Sequence, residues 1–198
     1  MKFLESIFTL LESNKKFPYY QAERRVDIFI NFFIKDIIRQ HTVYKDAVYI
    51  AAEFPLKKST ATDHAAHIDY LMFSKKSQAV LFVELKTDDV SYDADQIQFY
   101  LQDKKFIKWY EKFVDIKMKG FKDKKETLIK AIKDRLKDDL ELAEIRVIVI
   151  KPTHGEKDYH KLNDKRELLH FVSLKGMYIK TKYQAEWDLF KKIVLNKI

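Results

Sequence analysis

Two short runs hold the residues best suited to chemistry. They are His67-Ile68-Asp69-Tyr70-Leu71-Met72-Phe73 and Leu81-Phe82-Val83-Glu84-Leu85-Lys86, joined through the polar turn Ser74-Lys75-Lys76-Ser77-Gln78. Side chains alternate across a strand. Ile68, Tyr70 and Met72 are therefore expected on one face with Leu81, Val83 and Leu85. His67, Asp69 and Leu71 share the opposite face with Phe82, Glu84 and Lys86. A turn symmetric about Lys76-Ser77 puts Asp69 across from Glu84, and His67 across from Lys86. Directly opposed Cβ atoms lie about 4.5–5.5 Å apart. Two carboxylates at that spacing repel unless a cation sits between them, and a hard divalent cation such as Mg²⁺ prefers carboxylate oxygens. The competing reading is a half-exposed hairpin with ordinary ion pairs. Against it stands Ala79-Val80-Leu81-Phe82-Val83, too apolar for a strand with one solvated face. Glu84 and Lys86 are thus expected at the end of a central strand, where charges need a reason.

The elements that must position this hairpin follow from periodicity. Phe3, Leu4, Ile7, Phe8, Leu10 and Leu11 predict a helix over 3–13, and a second runs from about Gln21 to Arg39 beyond the break at Pro18. Val48–Ala52 reads as a strand leading through Glu53-Phe54-Pro55-Leu56 into a polar loop, 57–66. Strands follow at 67–73 and 79–87, then helices at 93–114 and 124–142. Arg146–Ile150 is a β-branched run bounded by Pro152, typical of a buried strand. A strand at 168–174 and a helix at 183–196 close the chain. The fold class is α/β, a mixed sheet covered by helices. One domain accounts for 1–198, with N-terminal helices at 1–42, a core at 43–151, and a C-terminal strand and helix at 152–198.

Composition narrows the chemistry. The chain has no cysteine, which removes disulfides, thiolate catalysis and Cys-ligated zinc or iron–sulfur centres. That suits a reducing compartment, and a cytoplasmic location is expected. No window approaches the ~18 uncharged apolar residues of a membrane helix, and the first residues, Met1-Lys2-Phe3-Leu4-Glu5, do not read as a signal peptide. No membrane partner is expected. Net charge is +8, and the stretch from Lys104 to Asp139 carries 13 basic against 7 acidic residues. Such a region attracts a polyanion through counterion release, although a solvated helical surface has the same composition.

Ile68-Asp69, fourteen intervening residues, then Glu84-Leu85-Lys86 resembles the PD-(D/E)XK nuclease superfamily. Gln96 and Tyr100 on the following helix resemble the QxxxY element of its RecB-like branch, and residues four apart share a helix face. The resemblance spans roughly residues 20–102 and extends to the strand near 146–151. It implies a restriction-endonuclease-like core, a mixed central sheet flanked by helices with an N-terminal helical segment. It also implies hydrolysis of phosphodiester bonds with Mg²⁺ or Mn²⁺. Asp69 and Glu84 would be metal ligands, with the Leu85 carbonyl a third. Lys86 would orient or activate the attacking water and stabilise charge on the phosphate. Ile68 stands where the family name places proline. The acidic residue that many members carry on the first core helix matches Glu23, with Glu53 competing.

DNA is the expected partner and RNA the second. Many enzymes that cut both strands act as dimers, which brings a homodimer into view, yet no self-complementary surface is recognisable. His67 would contact the phosphate beside Lys86, and Lys57, Lys58, Lys104, Lys105 and Lys108 would flank the site. His64 and His67, three apart with no Cys, make a poor zinc pair. Trp109 and Tyr110 read first as packing residues and second as base-stacking ones. No phosphate-binding Gly loop, Ser-His-Asp set or dinucleotide fingerprint occurs. Two other classes compete with an active enzyme: an inactive module with the same fold that binds nucleic acid or a protein, and a structural domain docking a partner through 104–142.

Overall fold

The computed structural model describes residues 2–14, 22–57, 65–88, 91–116, 122–155 and 165–195. Five strands form one mixed sheet: β1 (Val48–Lys57), β2 (Ala65–Ser74), β3 (Ala79–Leu85), β4 (Glu144–Lys151) and β5 (Leu169–Ser173). They lie side by side in chain order. β1, β2 and β3 form an antiparallel meander, while β3, β4 and β5 run parallel. The helices are α1 (Lys2–Asn14), α2 (Ala22–His41), α3 (Ala94–Tyr100), α4 (Phe106–Val114), α5 (Lys122–Leu136) and α6 (Gln184–Ile193).

Two apolar cores sandwich the sheet. One gathers Phe8, Ile30, Ile37, Trp187 and Phe190 of α1, α2 and α6 against Tyr70, Met72, Leu81 and Val83. The other gathers Ile97, Trp109, Phe113 and Ile132 of α3, α4 and α5 against Leu71, Phe73, Val80 and Phe82. All seven residues of β3 are buried, so its continuous apolar run reflects a central strand covered on both faces. Among the described residues no helix is long and apolar enough to cross a membrane.

The hairpin register is the one expected from a symmetric turn: Tyr70 pairs with Val83, Leu71 with Phe82 and Met72 with Leu81. One face assignment is corrected. Ile68 does not join Tyr70 and Met72 but packs in the opposite core. The ladder from β1 explains this. Ala52 pairs with Tyr70 and Phe54 with Ile68, and Glu53 between them takes a left-handed φ of 53°. A non-glycine residue there is uncommon; its turn rotates β1, and the partner strand rotates with it.

Boundaries shift elsewhere. β1 runs on through Glu53 to Lys57 instead of ending at Ala52. The helix expected over 93–114 is two helices, α3 and α4. Between them the chain is drawn to the start of β4: the Ile145 amide donates to the Lys104 carbonyl at 2.8 Å, and the Phe106 amide to that of Ala143 at 3.0 Å. Bonds to another strand replace the helical ones, and buried Leu101 and Phe106 still reach one core. The helix expected to reach Leu142 stops at Leu136, followed by a 3-10 turn at Lys137–Asp139.

The seven-residue α3 is too short to hold itself together. Asp93 caps it, with Oδ1 accepting from the Asp95 amide at 2.9 Å and the Gln96 amide at 3.3 Å. Asp93→Ala is expected to cost about 1 kcal/mol, read as a lowered denaturation midpoint. An unchanged midpoint would show that packing of Ile97 and Tyr100 alone secures the helix.

Candidate functional site

Glu84 is the penultimate residue of β3 and only 3% exposed. Its Oε1 accepts from Lys86 Nζ at 2.8 Å and from Gln96 Nε2 at 3.1 Å; its Oε2 accepts from the Tyr100 hydroxyl at 3.0 Å. Gln96 Nε2 also donates to the Tyr100 hydroxyl at 2.5 Å, and that hydroxyl lies 3.2 Å from the His67 carbonyl. One turn of α3 thus delivers two side chains onto one carboxylate, as i and i+4 spacing permits.

Burial pushes the Glu84 carboxyl above its ordinary range, while Lys86, Tyr100 and Gln96 pull against that without cancelling it. Burial and the Glu84 charge push the Tyr100 phenol up as well. A raised folded-state pKa means that the native protein holds the Glu84 proton more tightly than the unfolded chain. In metal-free protein this contribution to stability falls as pH rises from the ordinary value of 4.5 through the raised one, then levels off. Glu84→Gln is expected to remove that slope from denaturant midpoints taken across the window. An identical slope in the variant would assign it to other groups.

Asp69, on the neighbouring strand β2, reaches the backbone of β3. Its Oδ2 accepts from the Leu85 amide at 2.6 Å, a bond across the strands just past the last paired residues. Lys86 follows the end of β3 and is 7% exposed, its amide donating to the Ile150 carbonyl at 2.7 Å. Lys151, which sequence reasoning missed, is 1% exposed at the end of β4. Leu85 pairs with Ile150 in the parallel ladder, so the next step brings Lys151 beside Lys86. No local signal points to it; only the parallel pairing creates the neighbourhood.

The remaining candidates divide. Glu53 falls opposite Asp69 in the β1–β2 ladder, and with His67 it lines a cleft of about 400 Å³ against α5. Glu23 lies on α2, one turn before Asp27. Asp27 itself accepts from the buried Tyr70 hydroxyl on the other sheet face. The side chains of Glu23 and Lys57, and Lys58 and His64 altogether, lie outside the described residues. Lys104 and Lys105 stand at the start of β4, the far end of the strands from Glu84, about 16 Å along the strands at strand rise. Lys105 donates to the Leu142 carbonyl and pairs with Glu144. Lys108, a helical turn on, pairs with Glu111 at 3.9 Å. The structure does not bring these three to Glu84. Trp109 and Tyr110 are buried in the core.

Asp69, Glu84 and the Leu85 carbonyl offer a donor set made only of oxygen, which suits Mg²⁺ or Mn²⁺. Burial takes the Glu84 carboxylate out of water, and a dication would offset that cost. Among the described residues no cluster of three or more His, Asp or Glu surrounds a common point. An ion here would complete its shell with water and substrate oxygens, the usual habit of Mg²⁺. No family model, curated protein or solved structure matches the chain.

Proposed function

We propose that this chain is a metal-dependent nuclease of restriction-endonuclease-like fold that hydrolyses phosphodiester bonds in DNA. The observation carrying the reading is the convergence of Lys86, Gln96 and Tyr100 on the buried Glu84 carboxylate, at the end of a central strand and beside Asp69. Asp69 and Glu84, with the Leu85 carbonyl, would hold Mg²⁺ or Mn²⁺, which supplies Lewis acidity toward the phosphate. Lys86 directs its ammonium at the attacking water and at charge growing on the phosphate. Gln96 and Tyr100 act as positioning residues that keep both Glu84 oxygens aimed.

The test is cleavage of linear, circular, single-stranded and branched DNA, and of RNA, with Mg²⁺ or Mn²⁺. Chelator and Glu84→Ala are the controls. Metal-dependent cutting that vanishes in both is the expected result. Inert wild-type protein on every substrate, or cutting retained by Glu84→Ala, sinks the proposal. One observation favours a second reading, an inactive module of the same fold that binds nucleic acid or a protein partner. Both Glu84 oxygens already have protein donors, a closed arrangement that serves stability as well as turnover.

A further inference from the structure

Lys151 is the least exposed charged side chain among the described residues. Its Nζ lies 5.1 Å from the centre of the Tyr92 ring. Tyr92 meets Phe171 of β5 edge-on at 5.5 Å, and Phe171 stacks almost parallel on His154 at 5.7 Å and 12°. Phe171 and His154 then form one end of a groove of about 490 Å³ along the edge strand β5. Lys175 and Tyr178 line its other part, Tyr178 being 61% exposed. No acidic side chain is among its described lining residues. From Lys151, the neighbour of Lys86 in the parallel register, contacts run through Tyr92, Phe171 and His154 to this groove.

We propose that this path is a binding track for single-stranded DNA leading away from Glu84 and Lys86, so that the substrate is a single strand or an unpaired end. The proposal rests on the nuclease reading of the adjacent site. Half-exposed aromatic rings in series, running from a buried lysine to a groove that holds Lys175, match the chemistry of an unpaired strand. Every base offers a face for stacking, and the backbone offers negative charge. A duplex hides its base faces everywhere except at its ends. Tyr92 and His154 supply the stacking surfaces, with Phe171 packed between them, and Lys175 in the groove meets a phosphate. Lys151 works from beneath. Its Nζ holds the Tyr92 ring by a cation–π contact.

Binding is measured by fluorescence anisotropy in chelator, where nothing is cut. The probes are a labelled single strand of about 12 nucleotides and a blunt hairpin duplex. Wild type is expected to hold the single strand at least about tenfold more tightly than the hairpin. Tyr92→Leu and His154→Ala are each expected to lose roughly tenfold on the single strand, a typical cost of one stacking surface, with hairpin binding unchanged. Lys175→Ala should lower the salt dependence by about one counterion. His154 is exposed, so its variant tests the track without disturbing the core, and circular dichroism verifies the fold of both. Equal affinity for strand and hairpin, or variants that are folded and bind as wild type does, overturns the proposal. Track binding without cutting of any substrate would retain the track and remove the nuclease reading. Cutting with no preference for unpaired DNA would do the reverse.

Discussion

Lys86→Ala is expected to lower metal-dependent DNA cleavage by about 10²–10³-fold, the usual consequence of deleting one preorganised group that stabilises transition-state charge. Two effects combine. The ammonium that would face the reacting phosphate disappears, and Glu84 loses a donor 2.8 Å from its Oε1. Burial already drives the Glu84 carboxyl upward against the pull of Lys86, so the variant's carboxyl rises further and competes less well for a cation. Metal titration separates the two. If Lys86 only kept Glu84 ionised, saturating Mg²⁺ would restore the rate. If it acts at the phosphate, the rate stays low at every metal concentration. Activity within a few fold of wild type at ordinary Mg²⁺ would remove Lys86 from the chemistry. Lys86→Arg sharpens the contrast, because it keeps the charge while changing shape and donor geometry.

Phe82→Ala should have the largest effect on stability, about 3–5 kcal/mol out of a total that is typically about 5–15 kcal/mol. Phe82 is completely buried on β3. Its ring centre lies 6.1 Å from Tyr100, 6.2 Å from Phe106, and 6.4 Å from both Phe54 and Trp109. These rings come from β1, α3 and α4, so several elements would have to move together to fill the cavity. Denaturant unfolding measures the loss; a change under about 1.5 kcal/mol, the range of tolerated volume-conserving swaps, would show that the core closes over the gap. The same substitution strips Tyr100 of its perpendicular partner. Folded Phe82→Ala protein is therefore expected to cut more slowly, through misplacement of the hydroxyl that holds Glu84.

Much of the hairpin was legible because its constraints are local. A short polar turn ties two apolar sets that must be buried together, and only one register does so; Tyr70 across from Val83 follows. Gln96 and Tyr100 entered through the resemblance to a QxxxY element; four-residue spacing allowed them one helix face, and α3 delivers both to Glu84. The five-residue apolar run Ala79–Val83 of β3 announced a strand covered on both sides. Where periodicity alone was followed, it failed at competition with distant backbone. A helix continuing from Tyr100 through Phe106 satisfies local hydrogen bonding, but the start of β4 offers Lys104 and Phe106 other partners. Glu53 is a comparable case. A left-handed residue inside β1 turns Ile68 to the other core, and nothing in a run of β-forming residues marks the position.

By itself, then, the sequence determined the α/β class, the hairpin with its pairing, and the Asp69, Glu84 and Lys86 candidates, because each depends on spacing within a strand or a turn, while Gln96 and Tyr100 came with the family resemblance. Tertiary structure decided which lysines stand near them. Lys104 and Lys105, close in sequence to the α3 residues, were carried to the opposite end of the strands and paired there with a carbonyl and a carboxylate. Lys151, 65 positions beyond Lys86, was brought beside it by parallel pairing. A lysine's charge is the same wherever it lies in the chain. Its neighbours and its burial come from contacts between strands far apart in sequence, and those exist only once the sheet has formed.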